Sequence, residues 1–184
     1  GAGISNLMGT PVEIIERDFP LIVNSSRLIT DSGGPGKFRG GLGIQTIYTL
    51  LDRSTVTVST DRNIREPWGL SGGLPGRAAR VFIKKCSGHE QKVSTGKFTG
   101  ILEKGCTVMI ETAGGGGYGS PLERDPETVR DDVLEGYVSP EQAAEVYGVV
   151  LSGPGLRVDY RATEVKRAAI ARKHTEKLSR QNPG

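Results

Sequence analysis

Glycine is concentrated in this chain rather than scattered through it. Three segments hold most of it: DSGGPGKFRGGLG at Asp31–Gly43, WGLSGGLPGR at Trp68–Arg77 and ETAGGGGYGSPLERDP at Glu111–Pro126. Glycine accepts positive φ and lets two backbones approach closely. Clusters of this kind beside Asp, Arg and Trp predict shaped turns, or backbone packed against a neighbour or ligand. The structural glycines expected from them are Gly33, Gly34, Gly40 and Gly41 in the first segment, Gly72 and Gly73 in the second, and Gly114, Gly115, Gly116 and Gly117 in the third. Glycine makes up 27 of 184 residues, about twice the usual share of ~7%. With ten prolines and no repeat, the pattern fits a punctuated β-rich fold rather than disorder or collagen.

Length and charge narrow the function classes. A chain of 184 residues makes one structural unit, read here as a glycine-rich β domain over 1–120 with a helical segment over 121–184 packed on it. Net charge is +3, too little to predict nucleic-acid binding. The excess is local: eight Lys or Arg stand against three Asp or Glu from Arg157 onward. That tail reads as a solvated helix face, or as an electrostatic contact with an acidic partner. Cys86 and Cys106 form no C-x-x-C pair, and no signal peptide or long apolar run is present, so a reduced cytoplasm and no membrane partner are expected. The Gly1 start suggests a cut piece or a domain.

Short β-branched runs between turn residues predict the β domain. Val12–Glu16 and Leu21–Thr30, bounded by Pro11 and Pro20, read as strands. Ile44–Leu51 follows the first glycine segment. Ser54–Thr60 alternates with period two and is expected to form a hairpin with it across Asp52-Arg53. Ala79–Lys85, Glu90–Val93, Phe98–Leu102 and Thr107–Thr112 complete about eight strands, an antiparallel sandwich or barrel-like β domain. The class is α+β, mainly β, with C-terminal helices.

Beyond Gly119 the period changes. Asp125-Pro126-Glu127 opens a helix with an N-cap, Pro at the first position and an acid in the first turn. Its apolar face is Val129, Val133 and Leu134, and Gly136 ends it. Ser139-Pro140-Glu141-Gln142 opens a second helix with a capping box, whose inner face is Ala143, Val146 and Tyr147. Val149–Leu151 pairs with Leu156–Val158. A last helix runs from Arg161 to Leu178 with a thin apolar face of Ala162, Val165 and Ala169.

Candidate chemistry is sparse. Asp31 and Arg39 bracket the first loop, either as an internal ion pair, with Asp31 accepting turn N–H bonds, or near a substrate or interface. Asp61 and Arg62 follow a strand directly, with Trp68 six residues on. Arg beside Trp also suits plain stacking. The four are weak catalytic candidates, while Trp68 and Tyr118 are read as substrate or interface residues. The run Gly114–Gly117 lacks the Lys-Ser or Lys-Thr of a P-loop and reads as a tight strand-to-helix crossing covered by Tyr118 and Pro121. His89 follows Cys86 by three residues, but no second pair completes a zinc site. His174 reads as surface, Cys106 as core. No Ser-His-Asp set can be assembled.

The three glycine segments, in this order, resemble the C-terminal part of the hydantoinase B family. GTPVEIIERDFPL at Gly9–Leu21, the Thr60-Asp61-Arg62 and Pro67-Trp68-Gly69-Leu70 pieces, and GGGGYGSPLERDPETVRDDVLEGYVSPEQAAEVYGVVL carry the likeness beside DSGGPGKFRGGLG. The resemblance implies a subunit of ATP-dependent hydantoinases or 5-oxoprolinases, which open cyclic amides, or of the related acetone and acetophenone-type carboxylases. It implies hetero-oligomeric assembly. ATP and Mg belong to a hydantoinase A-type partner subunit, and a divalent metal to an N-terminal remainder of the B subunit. This chain alone is expected to bind no metal or cofactor and to be inactive. A non-catalytic assembly module is the third reading.

Overall fold

A computed structural model describes residues 9–85 and 88–181, with side chains through residue 173. Among the described residues seven strands precede the C-terminal helices: β1 (Leu21–Leu28), β2 (Ile44–Leu50), β3 (Ser54–Ser59), β4 (Arg80–Lys84), β5 (Glu90–Lys92), β6 (Lys97–Leu102) and β7 (Thr107–Glu111). Five form one antiparallel sheet in the order β1-β2-β7-β4-β5, and β3 pairs with β6 in a second. Val81 and Ile83 of β4 point inward while Arg80 and Lys84 point out, the alternation of a half-buried strand. Leu50, Val58, Val81, Ile83, Val93, Leu102, Cys106 and Val108 join both sheets in one core. Each such side chain, fully buried, contributes about 1.5–3 kcal/mol. The mainly antiparallel α+β class expected from the sequence is the one found.

Two expectations about the strands fail. Val12–Glu16 is not a strand but lies within α1 (Val12–Asp18). Pro11 precedes it, Glu13 lies in its first turn and Arg17 in its last, which favours a helix at both ends. None of its residues is buried, so β propensity had no sheet to act on. The helix leans on β1, where Glu16 accepts the Val23 N–H at 2.8 Å. Nor do β2 and β3 form a hairpin. The chain switches sheets at Asp52-Arg53, and β3 takes β6 as its partner from Ser54↔Leu102 to Ser59↔Lys97.

The second core is helical. Helices α2 (Pro126–Leu134) and α3 (Pro140–Glu145) and the short pair β8 (Leu151–Ser152) and β9 (Arg157–Val158) enclose Val129, Val133, Val138, Ala143, Tyr147 and Val149. Asp125 caps α2 through the Thr128 N–H at 3.1 Å. Leu134, expected inside, is 57% exposed, because the helix ends there and turns away at Gly136. Helix α4 (Tyr160–Gln181) closes the chain. Its Val165, expected on the apolar face, is 69% exposed, while the neighbouring Thr163 is buried and its hydroxyl accepts the Val150 N–H at 3.0 Å.

Candidate functional site

The three glycine segments converge outside the sheets into one backbone brace. Segment 114–119 lies in the middle. Gly115 bonds one neighbour, accepting from the Gly34 N–H and donating to the Gly41 carbonyl, both at 2.8 Å. Gly117 bonds the other, donating to the Leu74 carbonyl and accepting from the Leu70 N–H, both at 2.9 Å. The Leu74 N–H reaches the Pro35 carbonyl at 2.7 Å, so the outer segments also touch. No side chain fits between them. A Cβ on Gly114 would lie 2.5 Å from the Ser32 carbonyl carbon, one on Gly116 2.6 Å from that of Trp68, and one on Gly34 2.6 Å from the Gly117 nitrogen. Similar collisions face Gly33, Gly40, Gly73 and Gly117.

Close approach, not positive φ, is therefore what most of the brace demands. Among its glycines in the described residues, only Gly72 (φ 91°) and Gly119 (φ 72°) occupy the left-handed region. Gly41 has no atom within 4 Å of a built Cβ. The N–H groups of Gly114, Gly115 and Gly117 all donate to protein carbonyls, which leaves the run no phosphate cradle. Tyr118 and Pro121, both expected over this run, differ in burial. Its side chain is 52% exposed, whereas Pro121 is buried.

The bracketing residues join the brace to the helices. Asp31 and Arg39 do not pair with each other. Asp31, at φ 60°, accepts the Ser139 N–H on Oδ1 at 2.8 Å, taking the place expected for the Gln142 side chain in the capping box. The Ser139 hydroxyl supplies the other half, accepting the Gln142 N–H at 3.1 Å. Arg39 turns to Asp132 on α2, with Nη2 3.1 Å from Oδ1 and Nε 3.2 Å from Oδ2. Arg124 grips the same carboxylate at 2.8 Å, and all three side chains are at most 15% exposed. Arg124 also donates to the Lys37 carbonyl and Arg39 to that of Gly40. A second buried carboxylate, Glu111, accepts from Gln45 at 2.8 Å and from Arg77 at 2.6 Å at the other end of the brace. Tyr147, fully buried near the Asp132 cluster, has its phenol pushed up to about 12 by burial, against a smaller opposing pull from Arg124.

Sequence reasoning missed Asp132, Arg124, Glu111 and Arg77. One signal pointed to Asp132: it sits three residues after Val129 and next to Val133, a carboxylate on the apolar stripe of its helix.

Asp61 and Arg62 lie apart from this cluster. Arg62, at φ 62°, stacks on Trp68 with its guanidinium 4.7 Å from the ring centroid. Its carbonyl accepts the Ala79 N–H at 3.0 Å. Phe38 and Tyr118 meet with ring centroids 6.3 Å apart, and Leu70 bridges to Tyr118. Phe38, Trp68 and Leu70 are each more than half exposed, so the brace carries an outward apolar face. His89 is exposed, and Cys86 and the His174 side chain lie outside the described residues. Among the described residues no three His, Cys, Asp or Glu groups converge as metal ligands, and no helix is long and apolar enough to cross a membrane.

The hydantoinase B/oxoprolinase family model matches residues 1–121. The chain belongs to that family. It is 33% identical over 86% of its length to a protein of Pseudomonas sp. (strain NS671) named as the B-type component of a D-/L-hydantoinase, covering 27% of that protein. It is 33% identical over 89% of its length to the beta component of the caprolactamase of Pseudomonas jessenii, covering 29% of it. The nucleotide-free structure of an acetone carboxylase superposes with a TM-score of 0.79 at 27% identity, over 91% of this chain and 27% of that one. The chain thus spans a little over a quarter of the length of each of these relatives.

Proposed function

We propose that this chain is the C-terminal region of a hydantoinase B-type subunit that acts, with ATP, in the hydrolysis of a cyclic amide of hydantoin or 5-oxoproline type. The observation that carries the reading is 33% identity across most of the chain to relatives named hydantoinase and caprolactamase. In this reading the chain is a cytoplasmic packing and positioning element without a reaction centre of its own. Its two buried carboxylates, Asp132 and Glu111, are already neutralised by arginines, so the donor set does not fit a divalent metal. The metal belongs to the N-terminal remainder of the subunit, and ATP with Mg to a hydantoinase A-type partner. The brace holds Phe38, Leu70 and Tyr118 outward for the remainder to cover, and the β domain (residues 1–120) and the helical segment (residues 121–184) move as one unit.

A second reading, a region of an ATP-dependent ketone carboxylase subunit, draws on the TM-score of 0.79 to acetone carboxylase. The test is reconstitution of the complete subunit with its partner, supplied with hydantoin or 5-oxoproline and ATP. ATP-dependent ring opening, absent from this chain alone, is expected. Bicarbonate-dependent ketone consumption without ring opening would favour the carboxylase, and ring opening by this chain alone would overturn the positioning role.

A further inference from the structure

The loop after β3 and the turn before β6 border an open surface recess of about 400 Å³ lined by Thr60, Asp61, Arg62, Asn63, Arg65 and Lys97, the four charged residues among them exposed. It is firmly built. The Thr60 N–H and hydroxyl both donate to the Gly96 carbonyl, at 2.9 and 3.1 Å. The Thr60 hydroxyl also meets Asn63 Oδ1 at 3.0 Å, and Asn63 Nδ2 donates to the Ala79 carbonyl at 3.3 Å. Gly96 is required there twice over, by φ 67° and because any Cβ would strike the Asn63 amide. The wall's polar groups are thus consumed internally, and the cations are not. Among the described residues, Arg62, Arg65 and Lys97 reach no carboxylate within ion-pair distance, unlike Arg39, Arg77 and Arg124. Three cations against Asp61 leave the recess at +2. Arg62 is held by its left-handed backbone and by Trp68 beneath it, so little freedom is lost when its fork is engaged.

We infer that this recess binds a phosphoryl dianion, gripped by the Arg62 and Arg65 forks and the Lys97 ammonium. Guanidinium groups bind phosphate oxygens two at a time, and a dianion matches the local charge where a carboxylate would neutralise half of it. The inference is independent of the reaction proposed above, since it concerns only this recess.

Trp68 is the chain's single tryptophan, so its fluorescence reports on Arg62. Inorganic phosphate titrated at constant ionic strength should give a saturable change, with 31P line broadening in parallel. Arg65→Ala and Lys97→Ala should each weaken binding about tenfold, and Arg172→Ala should leave it unchanged. The inference is overturned if neither signal saturates, if chloride reproduces the response, or if Arg65→Ala and Lys97→Ala bind as the unaltered chain does. Acetate binding as tightly as phosphate would overturn the dianion assignment.

Discussion

Replacing Gly116 by alanine tests the brace at its centre. The new methyl would be built against the Trp68 carbonyl, whose carbon lies 2.6 Å away, where ordinary contact begins at 3.4 Å. Relief requires segment 114–119 to move by about 1 Å, which takes hydrogen bonds of 2.8–2.9 Å past bonding range. The Gly115 and Gly117 bonds to Gly34, Gly41, Leu70 and Leu74 are the ones at risk. Losing two or three of them at about 1 kcal/mol each, with overpacking strain of about 1–3 kcal/mol, gives a loss of about 3–6 kcal/mol. For a chain of this size the melting temperature should fall by about 6–24 °C. Gly41→Ala is the matched control. Nothing lies within 4 Å of its Cβ, and its φ is outside the left-handed region, so it should be neutral or gain about 0.4–1 kcal/mol from the unfolded state. Calorimetry on the two variants decides the matter. If Gly116→Ala melts with the unaltered chain, or Gly41→Ala falls as far, close backbone packing is not what these glycines provide.

Asp132→Ala strands Arg39 and Arg124 in the interior and should cost about 3–5 kcal/mol in urea unfolding; a loss below about 1 kcal/mol would show the cluster to be dispensable. Tyr147 is raised to about 12 in the fold, above the ordinary ~10 of an unfolded tyrosine. The unfolded chain therefore releases its proton first, and stability present below pH ~10 should drain away by about 2–3 kcal/mol toward pH ~12. Tyr147→Phe should flatten that alkaline slope and cost little at pH 7, since the hydroxyl meets no protein hydrogen-bond partner among the described residues. An unchanged slope would refute the assignment. Charge reversal at Arg172 and Lys173, both exposed on α4, should weaken subunit association at low salt and matter little at high salt; unaltered association at low salt would remove α4 from the interface.

Much of the fold could be read from the sequence where local rules act alone. The Asp125-Pro126 and Ser139-Pro140 starts, the Gly136 stop and the alternation in β3 depend on neighbours in the chain, and they formed as expected. Pairing was less legible. Nothing in Ser54–Thr60 distinguishes β2 from β6 as its partner, because the choice is made by which apolar face the whole sheet must bury. The glycine clusters announced a constraint but not its kind. Whether glycine serves φ or proximity depends on what lies opposite, and for Gly116 that is Trp68, far along the chain. Asp31 and Arg39 bracket the first glycine segment in the sequence, yet their partners, Ser139 and Asp132, lie about a hundred residues on.

Hydroxyl-radical footprinting of Phe38, Leu70 and Tyr118, in this chain and in the complete subunit, tests most directly whether the chain is a packing element of a larger subunit. All three side chains are at least half exposed here. The account predicts strong labelling in the isolated chain and protection in the assembled subunit. Equal labelling in both would contradict it.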